Sequence, residues 1–140
     1  MVVLDTNVVS ELMLDTPNSS VLSWVDGVPA LELFVTAVTE AEIRTGIAFL
    51  PEGARRRDLL YAAERTLGLL FAGRILPFDS AAARTYAEIA AVRRSAGRPI
   101  GEADCQIAAI ARSQGMAVAT RNIRDFSETG VEAIDPWAGV

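Results

Sequence analysis

Met1-Val2-Val3-Leu4-Asp5-Thr6-Asn7-Val8 opens the chain, and the reading of this stretch decides the fold. Val2-Val3-Leu4 forms a short strand with no polar position on either face. A strand that is apolar on both sides is covered on both sides, which marks a mostly parallel sheet. It ends at Asp5, in an Asp-Thr-Asn run rich in helix-capping residues.

Outward from this start, short apolar runs alternate with helical ones. Asn18 opens a helix with Val21, Leu22 and Val25 on one face. Leu31 to Thr36 reads as a second strand, and Thr39 to Leu50 as a helix stopped by Pro51. A long helix is expected from Ala54 to Ala72, capped by Gly73, with a third strand from Arg74 to Phe78. Asp79 caps a helix running to Ala96, with Gly97 after it. Glu102 to Ser113 is a helix ended by Gly115, Met116 to Thr120 a fourth strand, and Val131 to Ile134 a fifth before Pro136. The expected fold class is therefore α/β, a mostly parallel sheet of four to five strands with helices on both faces. In open sheets of this kind ligands bind outside the carboxyl ends of the strands, so acids just past strand ends are the places to search.

Composition narrows the chemistry. The 140 residues are 51% hydrophobic and 22% charged, with a net charge of −5, which fits one ordinary domain, residues 1–140, able to bury its own core. Cys105 is the single cysteine and histidine is absent, so disulfide frameworks, His triads and Cys/His metal sites are excluded. All 13 basic residues are arginine, which removes Schiff-base chemistry and a phosphate-loop lysine. It also removes the lysine that a phospho-acceptor signalling domain needs. An aspartyl-nucleophile phosphatase with an Asp-x-Asp pattern is disfavoured because Asn7 stands at the second position. No apolar run reaches membrane-spanning length, since Asp5, Glu11 and Asp15 interrupt the first stretch. The start lacks the basic region and cleavage site of a signal peptide, so the expectation is a cytoplasmic protein with no membrane contact.

Four acidic positions stand out, each with a structural role available. Asp5 follows the first strand and can cap the helix after it. Glu42 completes a Thr39-Glu40-Ala41-Glu42 capping box, while Val38, Gly46 and Phe49 share its helical face. Asp104 continues the apolar face of Ile107, Ala108 and Ala111, where an unpartnered carboxylate is costly and tends to neutralise, pair or bind metal. Its helix-dipole role is one that Glu102 can equally fill. Thr120, Asn122 and Asp125 cluster after the fourth strand, where turn chemistry also favours such residues. Together these oxygen ligands at a sheet edge select a hard cation, Mg²⁺ or Mn²⁺, suited to phosphodiester hydrolysis.

The motifs Leu4-Asp5-Thr6-Asn7-Val8, Thr39-x-Ala41-Glu42-Ile43-Arg44-x-Gly46, Ala103-Asp104-x-x-Ile107-Ala108-Ala109 and Ala119-Thr120-Arg121-Asn122-x-x-Asp125-Phe126 resemble the four motifs of PIN-domain ribonucleases. More narrowly, the chain resembles VapC-type toxins of bacterial toxin–antitoxin systems, in their FitB-like branch. Leu70-Phe71-Ala72-Gly73-Arg74-Ile75-Leu76-Pro77-Phe78-Asp79 and Asp135-Pro136-Trp137 look like that branch as well. The resemblance implies a PIN-like three-layer α/β/α fold and a Mg²⁺-dependent endoribonuclease, with Mn²⁺ able to substitute. It implies that Asp5, Glu42 and Asp104 hold the metal, with Asp125 as the fourth carboxylate candidate where some members carry an Asp at the position of Asn122. Thr6, Asn7 and Thr120 would position ligands or water. It further implies a homodimer and a small antitoxin protein that covers the site and alone contacts operator DNA.

The negative net charge is unusual for an enzyme acting on RNA, although part of it sits in the site itself. Arginines cluster at Arg55-Arg56-Arg57, at Arg93-Arg94-x-x-x-Arg98 and at Arg121-x-x-Arg124. Arg121 and Arg124, beside the acids, could grip a phosphate bidentately, whereas Arg55 to Arg57 read as a solvated face. The mean hydropathy of +0.27 leaves apolar surface for an interface, yet Trp24, Leu22 and Phe49 read individually as core. A non-catalytic alternative is a degenerate PIN domain kept as an antitoxin-binding module, and Asn122 is the residue that sustains it.

Overall fold

A computed structural model describes residues 1–139. Five strands form one sheet in the order β3-β2-β1-β4-β5: β1 (Val2–Leu4), β2 (Leu33–Thr36), β3 (Ile75–Leu76), β4 (Ala117–Ala119) and β5 (Ala133–Ile134). All pairings are parallel, with Val3 opposite both Phe34 and Val118. Helices α1 (Thr6–Leu12), α2 (Ser19–Asp26), α3 (Ala37–Ala48), α4 (Ala54–Ala63), α5 (Ser80–Ser95) and α6 (Glu102–Ser113) supply the crossovers and cover the sheet.

The double-sided apolarity of β1 explains the layering. Val2 and Leu4 join a core with Val8, Val9, Val35, Ile43, Ile47 and Leu67, under α1 to α4. Val3 faces the other way into a second core with Ile89, Ile107, Ala108, Val118 and Phe126, under α5 and α6. The three-layer α/β/α arrangement follows, with β1 as its central strand. From β1 the chain winds outward through β2 to β3, then crosses to the opposite side of β1 for β4. The boundary between β1 and β4 is thus the topological switch point, where a crevice opens at the carboxyl edge.

Several boundaries differ from the sequence reading, each for a local reason. Leu31 lies in a 3₁₀ turn (Ala30–Glu32) and is exposed, so β2 starts only at Leu33. Helix α3 begins at Ala37, capped by the Thr36 hydroxyl, which accepts from the Thr39 backbone N–H at 3.1 Å. The expected Thr39–Glu42 capping box is therefore absent, and Glu42 lies inside the helix. The long helix expected from Ala54 divides: α4 passes into a π-helical stretch, Glu64–Leu70, capped by Phe71 rather than Gly73. Gly97 and Gly115, read as helix stops, do take positive φ values of 73° and 69°, the conformation that ends helices at least cost in glycine.

The apolar residues read as core also divide. Trp24 packs partly against the first core, but Leu22 is exposed and Phe49 is 84% exposed. The buried face of α3 is Thr39, Ile43 and Ile47, so the face shared by Glu42, Gly46 and Phe49 is open. Among the described residues no helix is long and apolar enough to cross a membrane.

Candidate active site at the sheet switch point

Asp5 and Thr120 flank the switch point, one residue past the ends of β1 and β4. Parallel pairing brings them together: the Asp5 backbone N–H donates to the Ala119 carbonyl at 2.9 Å, and the Thr120 hydroxyl donates to Asp5 Oδ2 at 2.8 Å. Asp5 also caps α1, its Oδ1 accepting from the Thr6 N–H at 2.8 Å. The capping role and a role in the crevice therefore coexist in one carboxylate.

Thr6 connects this acid to the next. Its hydroxyl donates to Glu42 Oε1 at 2.6 Å. With that proton committed, the Thr39 hydroxyl, 3.0 Å away, donates to Thr6. Asn7 performs a similar task on the opposite side. Its amide N–H donates to Asp5 Oδ2 at 3.3 Å, and its carbonyl oxygen accepts from the Arg121 backbone N–H at 3.3 Å. The Asn122 N–H donates to the Thr120 hydroxyl at 3.0 Å. Two strand ends and the start of α1 are thereby tied into a single hydrogen-bonded frame.

Asp104 enters from the first turn of α6, half-buried at the head of the stripe formed by Ile107, Ala108 and Ala111. Its side chain takes part in no hydrogen bond or ion pair within the described residues. Burial, followed by the charges of Asp5, Asp125 and Glu42, pushes its carboxyl up to about 6, opposed by the nearby Arg93 guanidinium. Burial likewise raises Asp5 above the usual carboxylate range; Glu42 and Asp125 add to this, while the hydrogen bonds from Thr120 and Thr6 work against it. Mutual repulsion of this kind is what a bound cation relieves.

Asp5, Glu42 and Asp104 line one crevice of about 490 Å³, with Thr6, Asn7, Arg121, Asn122 and Trp137 also on its walls. Among the described residues no three acidic or cysteine side chains are drawn tightly enough to form a ready cage for an ion. A hard cation such as Mg²⁺ does not require one, because it keeps several waters and takes one or two carboxylates plus substrate phosphate. The all-oxygen donor set, with no competing histidine or thiolate in the crevice, fits such an ion.

The remaining expected site residues are distributed unevenly. Asn122 lines the crevice, whereas Asp125 is exposed on a 3₁₀ turn (Ile123–Phe126) and reaches the site through its charge on Asp5 and Asp104. Arg121 stands on the crevice wall; Arg124 is exposed on the same 3₁₀ turn, off that wall.

Two residues escaped the sequence reading. Arg93, read there only as part of the Arg93-Arg94-x-x-x-Arg98 cluster, is 6% exposed. It donates to the carbonyls of Arg98, Asp125 and Ser127 at 2.7, 3.0 and 3.0 Å, fixing the turn that carries Asp125. The spacing Ala82, Ile89, Arg93 on α5 was the available signal, since it places Arg93 on the buried stripe. Trp137 is brought to the crevice by β5, whose Ile134 carbonyl accepts from the Thr120 N–H at 2.8 Å. Only strand pairing reveals that proximity.

A parallel sheet thus lies between helical layers, with acids gathered at its switch point. The PIN domain family model matches residues 2–132, and the chain belongs to that family, within its VapC and FitB-like group. It is 43% identical to the VapC ribonuclease Y4jK of Sinorhizobium fredii, the match covering 98% of both chains. It is 39% identical to Toxin FitB of Neisseria gonorrhoeae, over 98% of this chain and 99% of that one. Among solved structures, FitAB bound to an IR36 DNA fragment superposes with a TM-score of 0.91 at 40% identity, covering 98% of this chain and 96% of that chain.

Proposed function

We propose that this chain, acting as one PIN unit, is a Mg²⁺-dependent endoribonuclease that serves as the toxin of a type II toxin–antitoxin system. The observation that carries the reading is the convergence of Asp5, Glu42 and Asp104 on one crevice at the switch point. Ribonuclease and toxin are the activities named for the relatives at 43% and 39% identity. Asp5, Glu42 and Asp104 would hold Mg²⁺ or Mn²⁺, with Asp125 contributing charge from the turn behind them. An ion held there would supply Lewis-acid polarisation of the scissile phosphate and a more acidic attacking water.

The chain's own groups prepare that site. Thr6 and Thr120 orient the carboxylate oxygens of Glu42 and Asp5 by donating to them. Support of this kind typically matters nearly as much as the ligands themselves. Asn7 fixes the loop after β4 relative to Asp5. Cleavage of a mixed RNA pool in Mg²⁺ or Mn²⁺, abolished by EDTA and by Asp5→Asn or Asp104→Asn with the folds of both variants intact, is the expected result. A wild-type protein that leaves every RNA intact in both metals would overturn it.

The partner follows from the same reading. A cognate antitoxin protein covers the crevice and carries any contact with operator DNA, in keeping with a matched structure of FitAB bound to DNA. A homodimer is part of the proposal, supported by exposed Phe49, Tyr61, Leu69 and Leu70, as is action in the cytoplasm. Asn122, lining the crevice where Asp125 does not, favours a second reading in which catalysis is lost and antitoxin binding remains. Intact antitoxin binding without metal-dependent cleavage is its signature.

A further inference from the structure

Arg121 is the cation on the crevice wall that also carries Asp5, Glu42 and Asp104. Its guanidinium carbon lies 5.1 Å from the centroid of the Trp137 ring. Among the described residues the guanidinium makes no ion pair and no hydrogen bond. Stacking on an aromatic face uses the flat side of a guanidinium and leaves its N–H edges free. The backbone of Arg121 is held as well, its N–H donating to Asn7 Oδ1. Trp137 is half-buried against the first core, and its backbone N–H donates to Asp135 Oδ1 at 2.9 Å. The result is a held cation with unused donors in a crevice that carries Asp5, Glu11, Glu42 and Asp104.

Electrostatics says what those donors are for. A polyanion entering an acidic crevice of a chain with net charge −5 needs a local positive group wherever its phosphates leave the acids. Arg121 is placed for that, and its fork matches the non-bridging oxygens of a phosphodiester. We infer that Trp137 is a positioning residue that stacks Arg121 into a clamp for an RNA phosphate next to the scissile one. The inference rests on the nuclease reading above.

The test measures KM and kcat for Mg²⁺-dependent cleavage of a random RNA pool at several salt concentrations. Wild type is compared with Arg121→Ala, Trp137→Leu, Trp137→Phe and the double variant Arg121→Ala/Trp137→Leu. Arg121→Ala should raise KM about 10-fold with little change in kcat, and reduce the salt slope by about one phosphate contact. Trp137→Leu should raise KM by about 3- to 10-fold, whereas Trp137→Phe, which keeps an aromatic face, should stay within about twofold. Because one residue acts through the other, the double variant should match Arg121→Ala alone. Trp137→Leu without effect beside a weakened Arg121→Ala would overturn the positioning role, as would additive losses. An unaffected Arg121→Ala would overturn the clamp, and so would a loss confined to binding of a partner protein. If wild type cuts nothing, the nuclease reading has failed first and the clamp fails with it.

Discussion

The Thr6 hydroxyl donates to Glu42 Oε1 at 2.6 Å while the Thr6 backbone N–H donates to Asp5 Oδ1 at 2.8 Å. One residue, through its backbone N–H and its hydroxyl, thus aligns acids that are 37 positions apart in sequence, counting from Asp5 to Glu42. It does so because Asp5 ends β1, Thr6 begins α1, and α3 runs past them from the neighbouring strand.

Thr6→Val keeps the shape and removes the donor. Cleavage should fall about 10- to 100-fold, the usual cost of losing a hydrogen bond that orients a ligand. Stability should fall by about 1–3 kcal/mol, because the change also takes the acceptor from the buried Thr39 hydroxyl. Thr6→Ser, which keeps the hydroxyl, should recover most of the activity. The RNA-pool assay and a urea melt measure both quantities.

Asp104 makes a prediction about pH. Its folded carboxyl is raised to about 6 from an ordinary 3.8, so the metal-free folded chain favours the protonated form. The folded state therefore holds more protons than the unfolded one between these values, and stability declines as pH rises from about 4 to about 6. Above that window the penalty is complete. In EDTA, Asp104→Asn should be a few degrees more stable than wild type at pH 7.5, with the difference shrinking toward pH 4. Asp5 is raised in the same direction, so a residual slope of the same sign should persist. Thermal melts across pH 4 to 8 decide the matter; destabilisation by Asp104→Asn at pH 7.5 would contradict the account.

Arg93 is a structural bolt. Arg93→Met preserves length but removes the buried guanidinium that donates, in half-buried bonds, to the carbonyls of Arg98, Asp125 and Ser127. A loss of about 1–3 kcal/mol is expected, the range for hydrogen bonds made by a charged, buried donor. Arg93→Lys keeps the charge but cannot reach three acceptors with a planar fork, and should recover only part of it. Denaturant titration of the three proteins gives the ranking.

Cys105 should be inert. It is fully buried in the second core, and burial pushes its thiol up to about 11. A thiol-reactive disulfide reagent at pH 8 should label the native protein only as fast as the chain opens, and label it rapidly in urea.

How much of this was legible in the sequence follows from where each signal resides. The apolar strands were readable because a doubly buried strand has no polar positions, and Asp5, Asn18 and Asp79 announce helix starts chemically. Glu42 was misassigned to a capping box because Thr36 and Thr39 are both good caps; only the end of β2 decides between them. Arg93 was hidden by its arginine neighbours, since a buried guanidinium needs carbonyl partners that come from a distant turn. The path of Trp137 into the crevice depends on β5 pairing with β4, a contact that no local pattern encodes.

The most direct test of the central claim is equilibrium Mn²⁺ binding, followed by the ion's electron spin resonance, in wild type, Asp5→Asn, Glu42→Gln and Asp104→Asn. Wild type is expected to bind Mn²⁺ at this crevice. Each substitution should weaken that binding by about tenfold or more, because each removes a charged oxygen donor. Wild-type affinity retained in all three variants would place the ion elsewhere and contradict the account.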